Sequence, residues 1–257
     1  MNPISLLPAL LLAGVTPREP LTCTVTPRVI EAGAFYNGAS VRVEGRAAAG
    51  SRLILTLTGP DREERFSRKA RFGPIWLNAS KLRISGAPSL FLRFSTDPVA
   101  AILSPSEIAR QHLDQQSFMA RMRIDPQSPD QRDDAAIRNS FMALRRGEGT
   151  YNLSDHGVVM QDPGRGGNYA LDLRWPKRAP PATYEVRVYE VLGGAVVREA
   201  STPLLVVRTG FPAWLAEMAA NRASVYGVVA VLVGALAGFG IDRLSTLLFG
   251  KKRSVAR

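Results

Sequence analysis

The chain is poor in soft metal ligands: its 257 residues hold one cysteine, Cys23, and two histidines, His112 and His156. Zinc sites are filled chiefly by Cys and His, so any such site here would have to be completed with carboxylates. A single cysteine closes no internal disulfide. Cys23 also lacks the small residue and apolar triplet that precede a lipidated cysteine. His112 lies near Asp114, and His156 follows Asp155 in a turn; both read as solvated or hydrogen-bonded structural histidines. No Gly-x-Ser-x-Gly occurs, which removes the usual serine nucleophile turn. The acidic pair Asp133-Asp134 is adjacent on a helix, so its carboxylates point apart. Gly164-Arg165-Gly166-Gly167 has neither a strand before it nor a helix after it and reads as a flexible turn, not a phosphate loop. These absences leave no catalytic, cofactor-binding or metal residues to nominate, and the chain is expected not to be an enzyme.

Negative charge is scarce as well. Lys and Arg number 33 against 22 Asp and Glu, a formal charge of +11. So basic a surface favours an anionic partner: lipid head groups, an acidic protein or nucleic acid. Export across a membrane would turn this surface away from the cytoplasm, which weighs against nucleic acid.

Charge vanishes altogether over residues 223–241, ASVYGVVAVLVGALAGFGI. At about 1.5 Å per residue this stretch reaches roughly 28 Å, close to the thickness of a hydrocarbon core. It reads as one transmembrane helix. The tail 242–257 carries Arg243, Lys251, Lys252, Arg253 and Arg257 against Asp242 alone. By the excess of basic residues on the inner side, the tail is cytoplasmic and the bulk of the chain lies outside, in the periplasm of a bacterial inner membrane. Ala230, Gly234 and Gly238 recur every four residues and form a small-residue face suited to packing against another helix. That partner is a subunit of an integral membrane complex or a second copy of the chain. Residues 211–222 read as a lead-in along the lipid interface, with Phe211 and Trp214 as aromatic anchors. At the other end, 1–20 reads as a signal peptide or short N-terminal apolar segment. Its apolar run from Ile4 to Val15 suits a secretory h-region but has no Lys or Arg before it.

Between these ends, 21–210 reads as an exported β-sandwich domain. Val25 and Val29, Val41 and Val43, then Leu53, Leu55 and Leu57 alternate with polar neighbours and are bounded by glycine turns. Arg68 to Asn78 and Ser89 to Ser95 add two strands. Ser104-Pro105-Ser106-Glu107 is a helix start, with a capping serine, proline at the first helical position and glutamate three residues after the cap. Ser128-Pro129-Asp130-Gln131 repeats it, and Gly147 stops the second helix, so a helical pair is inserted at about 104–147. Arg138, Arg145 and Arg146 near the end of that second helix suit its dipole. Strands resume at Tyr151 and run to Val207, with Gly193-Gly194 as a hairpin turn. The resulting fold class is mainly β, an immunoglobulin-like antiparallel sandwich with an inserted helical pair and one C-terminal transmembrane helix. Within it, Arg65, Arg68, Lys69 and Arg71 form a candidate basic partner surface; the plainer alternative is a solvated strand face with Phe66 and Phe72 turned inward.

Several short motifs occur in a recognisable order: Phe35-Tyr36-Asn37-Gly38-Ala39, Arg68-Lys69 before Gly73-Pro74-Ile75-Trp76-Leu77-Asn78, Pro88-Ser89-Leu90, Gly149-Thr150-Tyr151, Thr183-Tyr184-Glu185-Val186-Arg187-Val188-Tyr189, Gly210-Phe211 and Tyr226-Gly227. From about Val25 to Gly240 the chain resembles the transmembrane protein family described in Alphaproteobacteria. The resemblance implies an exported domain and a single C-terminal span. It brings no established activity, substrate or catalytic residues. The chain departs from the family in the loops at Pro176 to Pro181 and Gly164 to Gly167. The functional expectation is a membrane-anchored, non-catalytic binding or scaffold module, an accessory subunit of an inner-membrane complex without cofactors. The alternative is an envelope enzyme acting on a glycan or lipid through loop carboxylates.

Overall fold

The computed structural model describes residues 20–72, 75–125, 131–161 and 167–249, with side chains described except at 67–80, 131–133, 212 and 246–249. The N-terminal apolar run, the second capping motif at Ser128 to Asp130, most of the Gly164 to Gly167 loop and the tail from 250 lie outside the described residues. Strand exceeds helix, at 42% against 33%, so the protein is mainly β.

The elements follow in the order β1 (Thr24–Thr26), β2 (Val29–Ala32), β3 (Ala39–Ala47), β4 (Arg52–Thr58), β5 (Asp61–Phe72), β6 (Ile75–Pro88) and β7 (Phe91–Ser95). Next come α1 (Val99–Ile102), α2 (Pro105–Arg110), α3 (Gln115–Arg121), β8 (Arg123–Asp125) and α4 (Gln131–Gly147). The chain ends with β9 (Tyr151–Leu153), β10 (Val159–Met160), β11 (Gly167–Trp175), β12 (Ala182–Leu192), β13 (Ala195–Arg208), α5 (Gly210–Asn221) and α6 (Ala223–Phe249).

Three sheets result. One has the order β1-β3-β11-β10, a second β2-β13-β12-β4-β7-β9, and a third β5-β6-β8. Alternation along the strands builds the main core: Val41, Val43 and Leu171 from the first sheet meet Leu53, Leu55, Leu57, Val186, Val188, Leu204 and Val206 from the second in one buried cluster. Trp175 packs edge-on to Tyr184, ring centroids 4.8 Å apart, at one end of this core. The other face of β12 is covered too: Tyr189 and Val191 join Ile54, Val99, Leu103 and Leu113 under the short helices.

The structure departs from the expected all-antiparallel strands, single Arg68 to Asn78 strand and helical pair in three places. The six-stranded sheet curls as half a barrel, and both its edges are parallel pairs, β13 with β2 and β7 with β9. The stretch Arg68 to Asn78 is not one strand; the chain reverses between Phe72 and Ile75, and β5 pairs with β6 in a long ribbon. The insertion is more than a helical pair. Ser104 caps α2 by accepting from the Glu107 N–H at 3.3 Å, as its motif implies. Asp114 caps a further helix, α3, by accepting from the Ser117 N–H at 2.9 Å. His112 sits between the two helices with a left-handed φ of 51°.

The register of the second sheet fixes what lies beside the membrane helix. Val206 pairs with Ala182, Glu185 with Thr58, Thr58 with Phe91, and Phe91 with Tyr151. The end of β13 that leads into α5 and α6 is therefore also the end where β4 stops and β7 begins. The ribbon springs from that same end. Its base is tied down by Gly59 N–H to Leu90 O at 2.9 Å and Ser89 N–H to Pro60 O at 2.9 Å. A Cβ on Gly59 would lie 2.3 Å from Ser89 Oγ and 2.8 Å from the Tyr184 ring, so only glycine fits this crossing.

Candidate functional site

α6 is the most conspicuous surface. Within residues 223–245 an 18-residue window has a mean hydropathy of 2.1, and none of that apolar window is buried within the chain. The helix runs on to Phe249, past the charged pair Asp242-Arg243 where the sequence placed its end. Arg243 lies over the Phe239 ring at 4.9 Å, which covers part of an apolar face while the guanidinium stays exposed. Ala230 is exposed, and nothing stands within 4 Å of a Cβ built on Gly227, Gly234, Gly238 or Gly240.

α5 precedes α6 and is separated from it by a bend at Arg222, whose N–H reaches back to Met218 O at 2.9 Å. Phe211 and Trp214 stack at 5.6 Å between ring centroids and are 64% and 49% exposed. Two large aromatic rings left this open are costly in water and suit a lipid interface.

The third sheet is built as a ribbon with one covered half. Phe66 meets Phe141 edge-on at 5.9 Å, and Ile84, Ala87, Phe118, Met122, Ile124 and Met142 complete the cluster that seats the ribbon on α3 and α4. Arg145 locks the lobe. It pairs with Glu64 on β5, bonds Glu148 at 2.9 Å and stacks over Phe141 at 5.1 Å, while Arg178 takes the other oxygen of Glu148 at 2.9 Å. Arg138, in the middle of α4, bonds Met122 O at 3.3 Å and serves packing, whereas Arg145 and Arg146 stand in the last turn and suit the dipole as well, Arg146 bonding Gln115. Of the basic surface, Arg65 is exposed and leans on Glu63 at 3.4 Å. Arg68, Lys69 and Arg71 lie in β5, with side chains outside the described residues.

Four grooves lie among the described residues. One of about 560 Å³ runs between β9 and β11 and presents Arg146, Asn152, Asp172 and Arg174. Its one carboxylate, Asp172, is held by Arg42 at 3.1 Å. A second, about 320 Å³, contains His112 beside Glu185, which is bound by Arg187 at 2.7 Å. Two others, of about 380 and 310 Å³, contain Glu44 and Glu217 respectively. Each of the four thus holds a single carboxylate. Among the described residues no group of His, Cys, Asp and Glu is arranged to hold a metal ion. Burial pushes the Cys23 thiol up, against smaller opposing effects of hydrogen bonds from Thr202 and Tyr169, which keeps it protonated and a poor nucleophile.

Two buried charges had no warning in the sequence. Arg93, on β7, donates to Leu113 O at 2.7 Å and to Asp155 at 2.6 Å, pinning the helical insertion to the sheet. Glu190, wholly buried on β12, accepts from the Ala48 N–H at 2.8 Å and from Arg198 Nε at 2.5 Å. Burial pushes its carboxyl up, but the bonds from Arg198, Ala48 and Ser51 outweigh burial and hold it below the ordinary carboxylate value.

A mainly β domain joined by a bent helical lead-in to one long, uncovered apolar helix fits an integral, single-pass membrane protein. The model of a family described as "Putative transmembrane protein (Alph_Pro_TM)" matches residues 20–245. The chain belongs to that family, whose function is not defined. No curated protein and no solved structure matches it.

Proposed function

We propose that this protein is a non-catalytic binding or scaffold module, exported to the periplasmic side of a bacterial inner membrane and held there as an accessory subunit of a membrane complex. The observation that carries the reading is α6, an apolar helix none of whose hydrophobic window is covered by its own chain. Its open line of Ala230, Gly234 and Gly238 lets a second helix approach closely, and in lipid such packing drives association. The segment 1–20 supports export, and the basic tail after Ile241 supports a cytoplasmic C-terminus. The immunoglobulin-like reading of 21–210 draws support from the core shared by the two larger sheets. The four grooves seen among the described residues hold one carboxylate each, which favours binding over glycan cleavage, a reaction that takes a carboxylate pair.

Affinity purification of the tagged full-length chain in mild detergent tests the reading. A membrane protein recovered in fixed proportion, or a defined oligomer of the chain itself, is the expected outcome. Recovery as a lone monomer with glycan- or lipid-cleaving activity contradicts it.

A further inference from the structure

We infer that the outer half of the β5–β6 ribbon is a second membrane contact, one that binds the anionic head groups of the bilayer in which α6 is anchored. The inference rests on the membrane-anchored reading above and adds a ligand class to the basic stretch. Three independent observations meet in it.

The first is charge. From Arg68 to Lys81 the sequence contains Arg68, Lys69, Arg71 and Lys81 and no Asp or Glu, whereas Arg65 and Arg83 nearer the base both pair with Glu63 at 3.4 Å. The second is pattern. Beyond the irregularity at Arg68/Lys69 the cross-strand pairs alternate: Lys69 with Asn78, Ala70 with Leu77, Arg71 with Trp76, Phe72 with Ile75. Successive pairs on a ladder belong to opposite faces, so the register assigns one face to Ala70, Leu77, Phe72 and Ile75 and the other to Lys69, Arg71, Trp76 and Asn78. An apolar face backed by cations and a tryptophan is the composition of an interfacial element, here built on strands. β8 pairs with β6 only over Arg83 to Ser85, so no further strand flanks this outer half among the described residues.

The third is position. The ribbon leaves the second sheet at the end from which β13 passes through Thr209 into α5 and α6. Twelve residues of β5 extend about 40 Å at strand rise, whereas the twelve of α5 span about 18 Å even if that helix stood upright on the bilayer. The ribbon is therefore longer than the greatest distance α5 could set between the sheet and the bilayer. Tethering by α6 keeps that surface permanently within range, so weak individual attractions suffice.

The test uses the full-length chain with Trp214→Phe, which leaves Trp76 on the ribbon and Trp175 in the core as its tryptophans. It is placed in nanodiscs of acyl-brominated phosphatidylcholine, or of equal parts brominated phosphatidylcholine and phosphatidylglycerol, and tryptophan quenching is read. Quenching of Trp76 only in the anionic discs, relieved at molar salt, is expected. Arg68→Gln, Lys69→Gln and Arg71→Gln together should shift the bound-to-free ratio by about a hundredfold, at roughly fivefold per basic residue near an anionic surface. An unchanged circular dichroism spectrum certifies the fold of that variant, and the salt titration of the parent protein needs no variant. Equal quenching in both disc types, or none in either, overturns the inference; the latter leaves the ribbon to a protein partner. Both disc faces carry the same lipid, so the outcome does not depend on which side the domain occupies or on what co-purifies with α6.

Discussion

Replacing Glu190 by Gln removes the buried negative charge while keeping a side-chain oxygen for the Ala48 N–H. Arg198 then loses the Glu190 carboxylate in a strand interior where its side chain is only 27% exposed. Breaking a buried pair by neutralising one member costs about 3–5 kcal/mol, and the partial water access of Arg198 brings this down to about 2–3 kcal/mol. For a domain of this size that corresponds to a fall of about 5–10 °C in Tm, followed by circular dichroism of the full chain in detergent. The pH dependence adds a sign. The folded carboxyl lies below its ordinary value, so its stabilisation is fully present above the unfolded value, about 4.3, and is lost as pH falls through the lower folded value. The gap between wild type and Glu190→Gln should therefore be constant from neutrality to mild acid and close only below that range. An unchanged Tm at neutral pH, or a gap that widens in acid, would refute the reasoning.

Gly86→Ala should destabilise by at least about 2 kcal/mol in thermal melts, since φ is +74° and the added Cβ would stand 2.5 Å from Arg121 O, whereas Gly50→Ala, at φ +71° with nothing within 4 Å, should cost only the left-handed strain of about 1–2 kcal/mol. Equal losses at the two sites would show that the seat of α3 on the ribbon is not tight. Gly234→Leu with Gly238→Leu should leave membrane levels unchanged and reduce co-purification of the partner several-fold; full retention would mean that α6 only tethers.

Local signals were legible wherever one short segment decides the structure. Ser104-Pro105 does start a helix, Gly193-Gly194 does turn β12 into β13, and alternation in Tyr184 to Val188 does mark a core strand. What escaped depends on partners distant in sequence. The parallel edges of the half-barrel join β2 to β13 and β7 to β9, and no local pattern encodes such pairing. Glu190 faces Arg198 because a bulge after it shifts the register; a regular ladder from the Gly193-Gly194 turn would have set Val197 opposite. The ribbon was hidden by reading an apolar run straight through Gly73-Pro74, a dipeptide that signals a break. The start of α3 at Asp114 was missed, because the helix is too short to show helical periodicity and has Ser117 where a capping box has Glu or Gln. The basic residues of the candidate surface could be read directly. That they sit on an arm rooted at the membrane end of the sheet follows only from register.

The side of the membrane on which the β domain lies is central to the proposed function, and paired reporter fusions test it most directly. A phosphatase that folds only in the periplasm, fused after Gly210 and separately after Arg257, samples the chain on either side of α6. The five basic residues against one acidic beyond Ile241 call for activity at Gly210 and silence at Arg257. Silence at Gly210 with activity at Arg257 would place the domain in the cytoplasm and contradict the account.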